Sequence, residues 1–430
     1  MRKTIRFIDL FAGIGGIRCG LELAAKEAGY KTECVFTSEI KGHAIKVLKQ
    51  NHPDEEINGD ITTINENGIP DFDILCAGFP CQAFSSAGKR QGFTDTRGTL
   101  FFEVERILSR KKPLGFILEN VEGLVNHDKG NTLKTIIEHL EGLGYKVSYR
   151  VLNSKDFGVP QERKRIYITG TFRERISLED FPKKEKKLKD VLEKGLPTEN
   201  TPFIKNLLSK YPLKDLYGKS IKDKRGGKSN IHSWDLEMKG PLTEEQKDFL
   251  NLLMTERRKK KWAEQHGIDW MDGMPLTISQ ITSFYQHEHI EDWLNDMVEK
   301  GYLKYEHPKK LVKIHTERGI SSHREYDTTK EKGYNIVSGK LSFEVNKILD
   351  PNDVAPTLVA MDMQKLFVPD CNGIRKLTLK EGLRLFGYPE TYELNVSERE
   401  GYDLLGNTVV VPVIKAVASR LIETIKFEKQ

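Results

Sequence analysis

Over its first 170 residues the chain alternates short apolar runs with amphipathic stretches, and this alternation constrains the fold more than any other feature. Residues 5–10 read as a strand, followed by a glycine turn and a helix over 17–28. Residues 33–38 and 41–50 repeat the pair. A third strand ends at Asp60, and the apolar run 73–77 is the fourth. Residues 101–108 are helical, 115–118 form a strand that runs into Glu119-Asn120, 132–143 are helical, and 145–152 and 165–169 are late strands. Repeated βα units imply an α/β fold of the doubly wound class, a mostly parallel sheet with helices on both faces. In such sheets ligands bind beyond the carboxyl ends of the strands, so the residues that follow each strand are the candidates for chemistry.

Those residues are distinctive. The first strand runs into Phe11-Ala12-Gly13-Ile14-Gly15-Gly16, where close glycines let a backbone approach a ligand at a helix amino terminus. The dinucleotide fingerprint G-x-G-x-x-G would need glycine at position 18, where this chain has Arg18. Glu39 ends the second strand at the spacing from which an acid reaches ribose hydroxyls, and Asp60 ends the third; acids at such positions also serve as helix caps. The fourth strand is followed by Gly78-Phe79-Pro80-Cys81-Gln82-Ala83-Phe84-Ser85-Ser86. A cysteine there is either a small core hydrophobe or a nucleophile, and the neighbouring proline, glutamine and serines make a poor core environment. Further on stand Glu119-Asn120-Val121, Gln161-Glu162-Arg163-Lys164-Arg165, Thr357-Leu358, Arg384-Leu385-Phe386-Gly387-Tyr388-Pro389 and Gly406-Asn407-Thr408-Val409.

In order and spacing these blocks resemble the DNA cytosine-5 methyltransferases of the bacterial restriction-modification type. The resemblance covers residues 1–170 and about 374–425. It implies an S-adenosylmethionine-dependent methyltransferase fold with a smaller mixed target-recognition domain: a catalytic and cofactor-binding domain over 1–172, a recognition region over 173–373, and a segment over 374–430 that returns to complete the first domain. It also assigns residues. Phe11, Gly13, Gly15, Gly16, Glu39, Asp60, Pro80 and Asn407 would form the S-adenosylmethionine pocket, with Phe11 on the adenine, Glu39 on the ribose and Asp60 on the adenine amino group. Cytosine C5 is a poor nucleophile, so Cys81 would first add to C6 as thiolate. Glu119 would contact N3 and the exocyclic amine, and Arg163 the O2, with Arg165 in support. The activated C5 would then take the methyl group, and loss of the C5 proton would release Cys81. A base in a duplex is inaccessible, which implies extrusion of the target. Gln82, Ser85, Arg97 and Thr357 are the implied DNA contacts. Lys380 stands where many members have arginine, in a block read as structural.

Composition agrees without deciding. With 430 residues, 38% of them hydrophobic, the chain can bury a full core and divide in two, and its net charge of +5 permits nucleic-acid binding without establishing it. Five cysteines (Cys19, Cys34, Cys76, Cys81, Cys371) with no C-x-x-C pair argue against zinc or disulfides and for a reducing cytoplasm or nucleoid. No run approaches the ~18 apolar residues of a membrane span, so a soluble protein is expected. The expected partners are double-stranded DNA and a restriction endonuclease acting on the same site without a stable complex; the chain itself is expected to be a monomer. Beyond Gly170 two basic runs, 183–187 and 257–261, read either as solvated faces or as phosphate contacts, Arg257, Arg258 and Lys259 among them. Around 275–306 a helix, helix, strand order reads either as a winged-helix unit or as a small helical pair. Two rival functions remain: a transfer-RNA cytosine-5 methyltransferase of the same fold, and a non-catalytic DNA-binding regulator.

Overall fold

The computed structural model of the chain describes residues 4–80, 100–224, 226–269, 273–316, 319–338 and 343–425. It begins with β1 (Thr4–Leu10), α1 (Gly16–Glu27), β2 (Lys31–Ser38), α2 (Gly42–Asn51), β3 (Ile57–Asn58) and β4 (Ile74–Ala77). After them come α3 (Leu100–Lys111), β5 (Gly115–Val121), α4 (Asn131–Gly142), β6 (Lys146–Asn153) and β7 (Lys164–Thr171). The seven strands form one sheet in the order β3-β2-β1-β4-β5-β7-β6. The pairs among β1 to β5 are parallel, whereas β7 runs antiparallel to both its neighbours. Helices cover both faces of the middle strands, so β4 and all of β5 but its last residue are buried; β4 and residues 115–118 of β5 read as apolar runs, whereas edge strand β6 is mostly exposed or half-buried.

Strand order reverses between β1 and β4, the point at which an open sheet leaves a crevice. The registers Ser38↔Leu10, Leu10↔Ala77 and Ala77↔Leu118 bring four strand ends level. The residues that come next, Glu39, Phe11, Gly78 and Glu119, therefore stand in a row along the carboxyl edge.

A second compact unit, residues 196–349 with 365–375, interrupts the first. It contains α5 (Pro202–Lys210), β8 (Ser220–Ile221), β9 (Asn230–Ile231), α6 (Glu244–Glu256), α7 (Lys260–His266), α8 (Ile278–Thr282) and α9 (Ile290–Glu299). Strands β10 (Leu303–Glu306), β11 (Lys309–Thr316), β12 (Gly319–Tyr326), β13 (Gly333–Ile336), β14 (Lys347–Ile348), β15 (Leu366–Asp370) and β16 (Gly373–Lys376) follow. It has two cores. One gathers Trp234, Phe249, Trp262, Leu294 and Tyr302; the other, with Ile221, Val345, Phe367 and Ile374, lies on the five-stranded sheet β16-β15-β14-β8-β9. Thr243 with Gln246 caps α6 and Thr277 with Gln280 caps α8, each side chain bonding the other's backbone N–H.

The chain then returns to the first unit through α10 (Leu379–Phe386), α11 (Glu398–Asn407) and α12 (Val411–Ile425). The first unit thus comprises residues 1–195, 350–364 and 376–430. Residues 173–195 belong to it and bond along its backbone. Lys184 N–H donates to Asp156 and its carbonyl accepts from Gly158, and Leu188 N–H donates to the Asp353 carbonyl.

Helix α1 packs its small face on α12. A Cβ on Gly20 would lie 2.5 Å from Ile414 Cγ2 and 3.0 Å from the Lys415 nitrogen, whereas one on Gly142 in α4 would meet nothing within 4 Å. Alanine is a better helix former than glycine by roughly 0.5–1 kcal/mol. Overpacking costs about 1–3 kcal/mol. Gly142→Ala is therefore expected to raise the melting temperature and Gly20→Ala to lower it, read by thermal denaturation at matched pH.

Candidate active site

A cavity of about 670 Å³ opens at the carboxyl edge where strand order reverses, within the size range of small-molecule sites. Phe11, Gly13, Glu39 and Asp60 line one part of it; Gly78, Phe79, Pro80, Glu119, Arg163 and Arg165 line another; Asn407 and Thr408 close it from the returning segment. Residues separated by almost the whole chain length thus share one chamber.

On the glycine-loop side the backbone is sharply bent. Phe11 sits at φ +55°, Gly13 at +56° and Gly15 at +69°; for phenylalanine that left-handed conformation is strained, a feature that concentrates at functional sites. Gly13 N–H donates to Glu39 Oε2 at 2.7 Å, and Glu39 Oε1 accepts from the Ile40 and Lys41 N–H groups, both at 2.8 Å. Glu39 is thereby held at the crevice, with acceptor capacity remaining on Oε2. A Cβ on Gly13 would meet nothing within 4 Å, so this loop leaves open space. Asp60 Oδ1 caps the 3-10 turn Ile61–Thr63 through Thr62, which leaves Oδ2 without a partner among the described residues. The cap and the ligand readings of Asp60 are compatible.

Gly15 and Gly16 serve a different purpose. Neither lines the cavity, and a Cβ on Gly16 would strike Tyr388 Oη and Val409 Cγ2, each at 2.7 Å. Gly16 lets the start of α1 touch the returning segment, where Tyr388 Oη and Thr408 Oγ1 are 2.6 Å apart. Arg18, at the position where the dinucleotide pattern needs glycine, is buried and bound by Glu22 at 2.8 Å and by both oxygens of Glu55.

Beneath the loop Asp9 is buried, and neither carboxylate oxygen has a hydrogen-bond partner among the described residues. Burial pushes its carboxyl up to about 8, against the pull of Arg18. The folded state therefore binds a proton that the unfolded chain has lost, across a window from about pH 4 to pH 8. Stability falls as pH rises through that window, by at most about 1.4 kcal/mol per unit. Asp9→Asn is expected to gain melting temperature relative to wild type between pH 5 and pH 8; an unchanged difference across that range would refute the ionisation argument.

On the other side, Glu119 is 8% exposed, and its carboxyl is raised above the ordinary range by desolvation, with Arg165 and Arg163 opposing. Arg165 Nε lies 3.3 Å from Glu119 Oε1. The neighbouring Asn120 stands in the Glu119-Asn120-Val121 block, from which the sequence alone draws no role for it. Its Nδ2 donates to the Phe79 carbonyl at 3.3 Å and its Oδ1 accepts from Val121 N–H at 2.8 Å. It tethers the loop that leads to Cys81, and adjacency to Glu119 is the only sequence signal for it. Cys81, Gln82, Ser85 and Arg97 lie outside the described residues.

Arg163, expected at the cytosine O2, lines the chamber together with Glu119 and Arg165. It is buried, and its Nη atoms donate to the carbonyls of Leu358 (2.9 Å), Gly406 (3.2 Å) and Thr408 (2.8 Å). Desolvation, with Arg165 nearby, lowers it to about 9. Gln161, fully buried, adds a bond to the Leu385 carbonyl at 3.0 Å, and Thr357 Oγ1 donates to the Glu162 carbonyl at 2.7 Å. This block thus ties β7 to the segments around 358, 385 and 407. Asn407 Nδ2 bonds Asp403. Lys380 is exposed and 3.6 Å from Glu390, so a lysine there disturbs nothing buried.

In the second unit one expectation is corrected. Arg257 cannot meet phosphate: it is buried, with Nη1 donating to Asn335 Oδ1 at 2.6 Å and its carbonyl accepting from Met274. Lys259 pairs with Glu256.

The overall fold is similar to that of solved methyltransferase structures. The chain superposes on an Entamoeba histolytica methyltransferase (TM-score 0.53, 15% identity, 99% of each chain) and on a putative prophage DNA modification methyltransferase from E. coli (TM-score 0.52, 20% identity, 98% of this chain and 99% of that one). A family model described as C-5 cytosine-specific DNA methylase matches residues 5–423, and the chain belongs to that family. Its curated relatives include Type II methyltransferases M.NlaIV of Neisseria lactamica (61% identity, 98% of this chain and all of that one) and M.NgoBV of Neisseria gonorrhoeae (60%, same coverage). M.BanI of Aneurinibacillus aneurinilyticus is 43% identical over 97% of this chain and 96% of its own. The chain is a DNA (cytosine-5-)-methyltransferase with S-adenosylmethionine as methyl donor. No described helix is long and apolar enough to cross a membrane.

Proposed function

We propose that the chain methylates one cytosine within a short specific duplex sequence, through extrusion of the base and a covalent bond between Cys81 Sγ and C6, as the modification enzyme of a restriction-modification system. The observation that carries this reading is the single chamber joining the glycine-loop side to the Glu119 side. Phe11, Glu39 and Asp60 would hold S-adenosylmethionine there: an aromatic face, a carboxylate preset by Gly13, and a free carboxylate oxygen. When bound, that cofactor supplies an electrophilic methyl group.

The chain's own residues supply the rest. Cys81 follows the Gly78–Pro80 turn that Asn120 anchors, and its thiolate adds to C6. Glu119, whose carboxyl is raised by burial against the pull of Arg165 and Arg163, donates to N3 as negative charge develops on the ring. Arg165, beside Glu119, is the guanidinium assigned to the cytosine O2. Arg163 is assigned to holding the returning segment, since backbone carbonyls occupy both its Nη atoms. Gln82, Ser85, Arg97 and Thr357 are assigned to DNA, and the second unit to sequence choice. The protein acts as a monomer in the bacterial cytoplasm or nucleoid, and a nuclease of the same specificity acts separately. The relatives named Type II methyltransferases support the restriction-modification assignment.

Bisulfite sequencing of DNA from a methylation-free host expressing the chain tests the proposal. Protected cytosines confined to one short motif are expected; protection scattered without a motif, or no protection in DNA, would overturn it.

A further inference from the structure

In the second unit, helices α6 and α7 are followed by Leu276, which makes an isolated antiparallel bridge to Tyr334 in β13, then by α8, α9, β10, the β11–β12 hairpin and β13, which pairs with β10. With that bridge counted as a first strand, α7, bridge, α8, α9, β10, hairpin and β13 follow the element order of a winged helix, β13 lying between β10 and the bridge. In helix-turn-helix arrangements the helix equivalent to α9 enters the major groove. Here its chemistry forbids that. The exposed residues of α9 are Glu291, Asp292, Asn295 and Glu299, three carboxylates and no cation. Duplex DNA carries one negative charge per about 1.7 Å of axis, so this face is repelled.

The hairpin has the opposite character. Eight paired residues on each strand make a two-stranded ribbon, and the register sets Lys309 opposite Tyr326 and Leu311 opposite Arg324 on one face. Leu311 is 42% and Tyr326 49% exposed, and Lys309 Nζ lies 4.8 Å from the Tyr326 ring centre. Arg324 is exposed and in no ion pair among the described residues. Of the acids close by, Glu306 is engaged by Lys304, Tyr326 and Asn335, Glu325 by His323 and Asp327 by Lys310. Beside it Tyr305, 51% exposed, has Lys332 Nζ 5.9 Å from its ring centre. Cations interleaved with exposed aromatic rings suit a phosphate backbone with its sugars, and a ribbon of this width fits a major groove.

We propose that the second unit meets duplex DNA through the Lys309, Leu311, Arg324 and Tyr326 face of the β11–β12 hairpin, with α9 held out of the groove. The proposal rests on DNA being the substrate and deepens that reading. Its test is binding of the full-length protein to a mixed-sequence duplex by fluorescence anisotropy, from 50 to 200 mM KCl. The variant K309A/R324A is expected to bind about tenfold more weakly, with the slope of log affinity against log salt shallower by about 1.8, the contribution of two phosphate contacts. Arg324→Ala alone, at an exposed unpaired position, should give half that slope change even if the double variant folds poorly. The variant E291Q/D292N/E299Q should bind as tightly as wild type or tighter, and Asn295→Ala should bind as wild type. Wild-type affinity and slope in the hairpin variants, or lost binding in Asn295→Ala, would overturn the proposal. Methyl transfer does not enter this readout, so a failure of the enzymatic reading would show separately, as binding without methylation.

Discussion

Cys81→Ala is expected to abolish methyl transfer to DNA while leaving the affinity for S-adenosylmethionine within a few-fold of wild type. Alanine removes the thiol proposed to add to C6, and without that addition C5 stays too electron-poor to take a methyl group. The cofactor-side residues Phe11, Glu39 and Asp60 belong to other strand ends, and Glu39 and Asp60 keep their own bonds, from Gly13 and Ile40 and from Thr62. A duplex with 5-fluorocytosine at the target should form an adduct with wild type that survives denaturing electrophoresis, because no C5 proton is available to leave. The alanine variant should form none. Substantial turnover by Cys81→Ala would end the covalent reading.

Glu119→Gln should lower turnover by roughly the 10²–10⁴ typical of a lost general acid. The side chain keeps its volume and an acceptor but cannot deliver a proton to N3. Burial raises the Glu119 carboxyl above the ordinary range. The wild-type rate should therefore fall as pH rises through that raised value, and the glutamine variant should lack this limb. The stability argument has a definite sign: a carboxyl with a raised folded-state pKa costs stability above its unfolded value, a cost that glutamine removes. Melting at neutral pH should be unchanged or higher. A variant that unfolds, or one that retains full turnover, would instead make Glu119 a fold element.

The row of strand-end residues is legible in the sequence because each central strand is an apolar run with a polar or glycine stop, and that pattern alone places Phe11, Glu39, Gly78 and Glu119. The antiparallel course of β7 is not legible, since a two-sided buried strand has the same residue pattern in either direction. Arg163 shows a second limit. Its guanidinium invites a ligand role, but its partners are carbonyls 195, 243 and 245 residues away, and any residue can offer a carbonyl. Arg257 shows a third: within a basic run it looks solvated, and only the fold reveals Asn335 beside it. Other local signals are present at full strength. Thr243-x-x-Gln246 and Ser397-x-x-Glu400 are capping boxes that mark helix starts in the sequence itself.

The interrupted first unit sets an order of events during synthesis. Its sheet is complete once residue 171 has emerged from the ribosome, yet Arg163 stays without Gly406 and Thr408, and α1 without α12, until the end of the chain follows. At about 5–20 residues per second that interval lasts on the order of 10–50 s. A half-made chain therefore has the cysteine loop and the glycine loop but lacks the segment that closes the chamber. Activity switches on only with full-length product, and polysome-bound or prematurely terminated chains should be silent towards DNA.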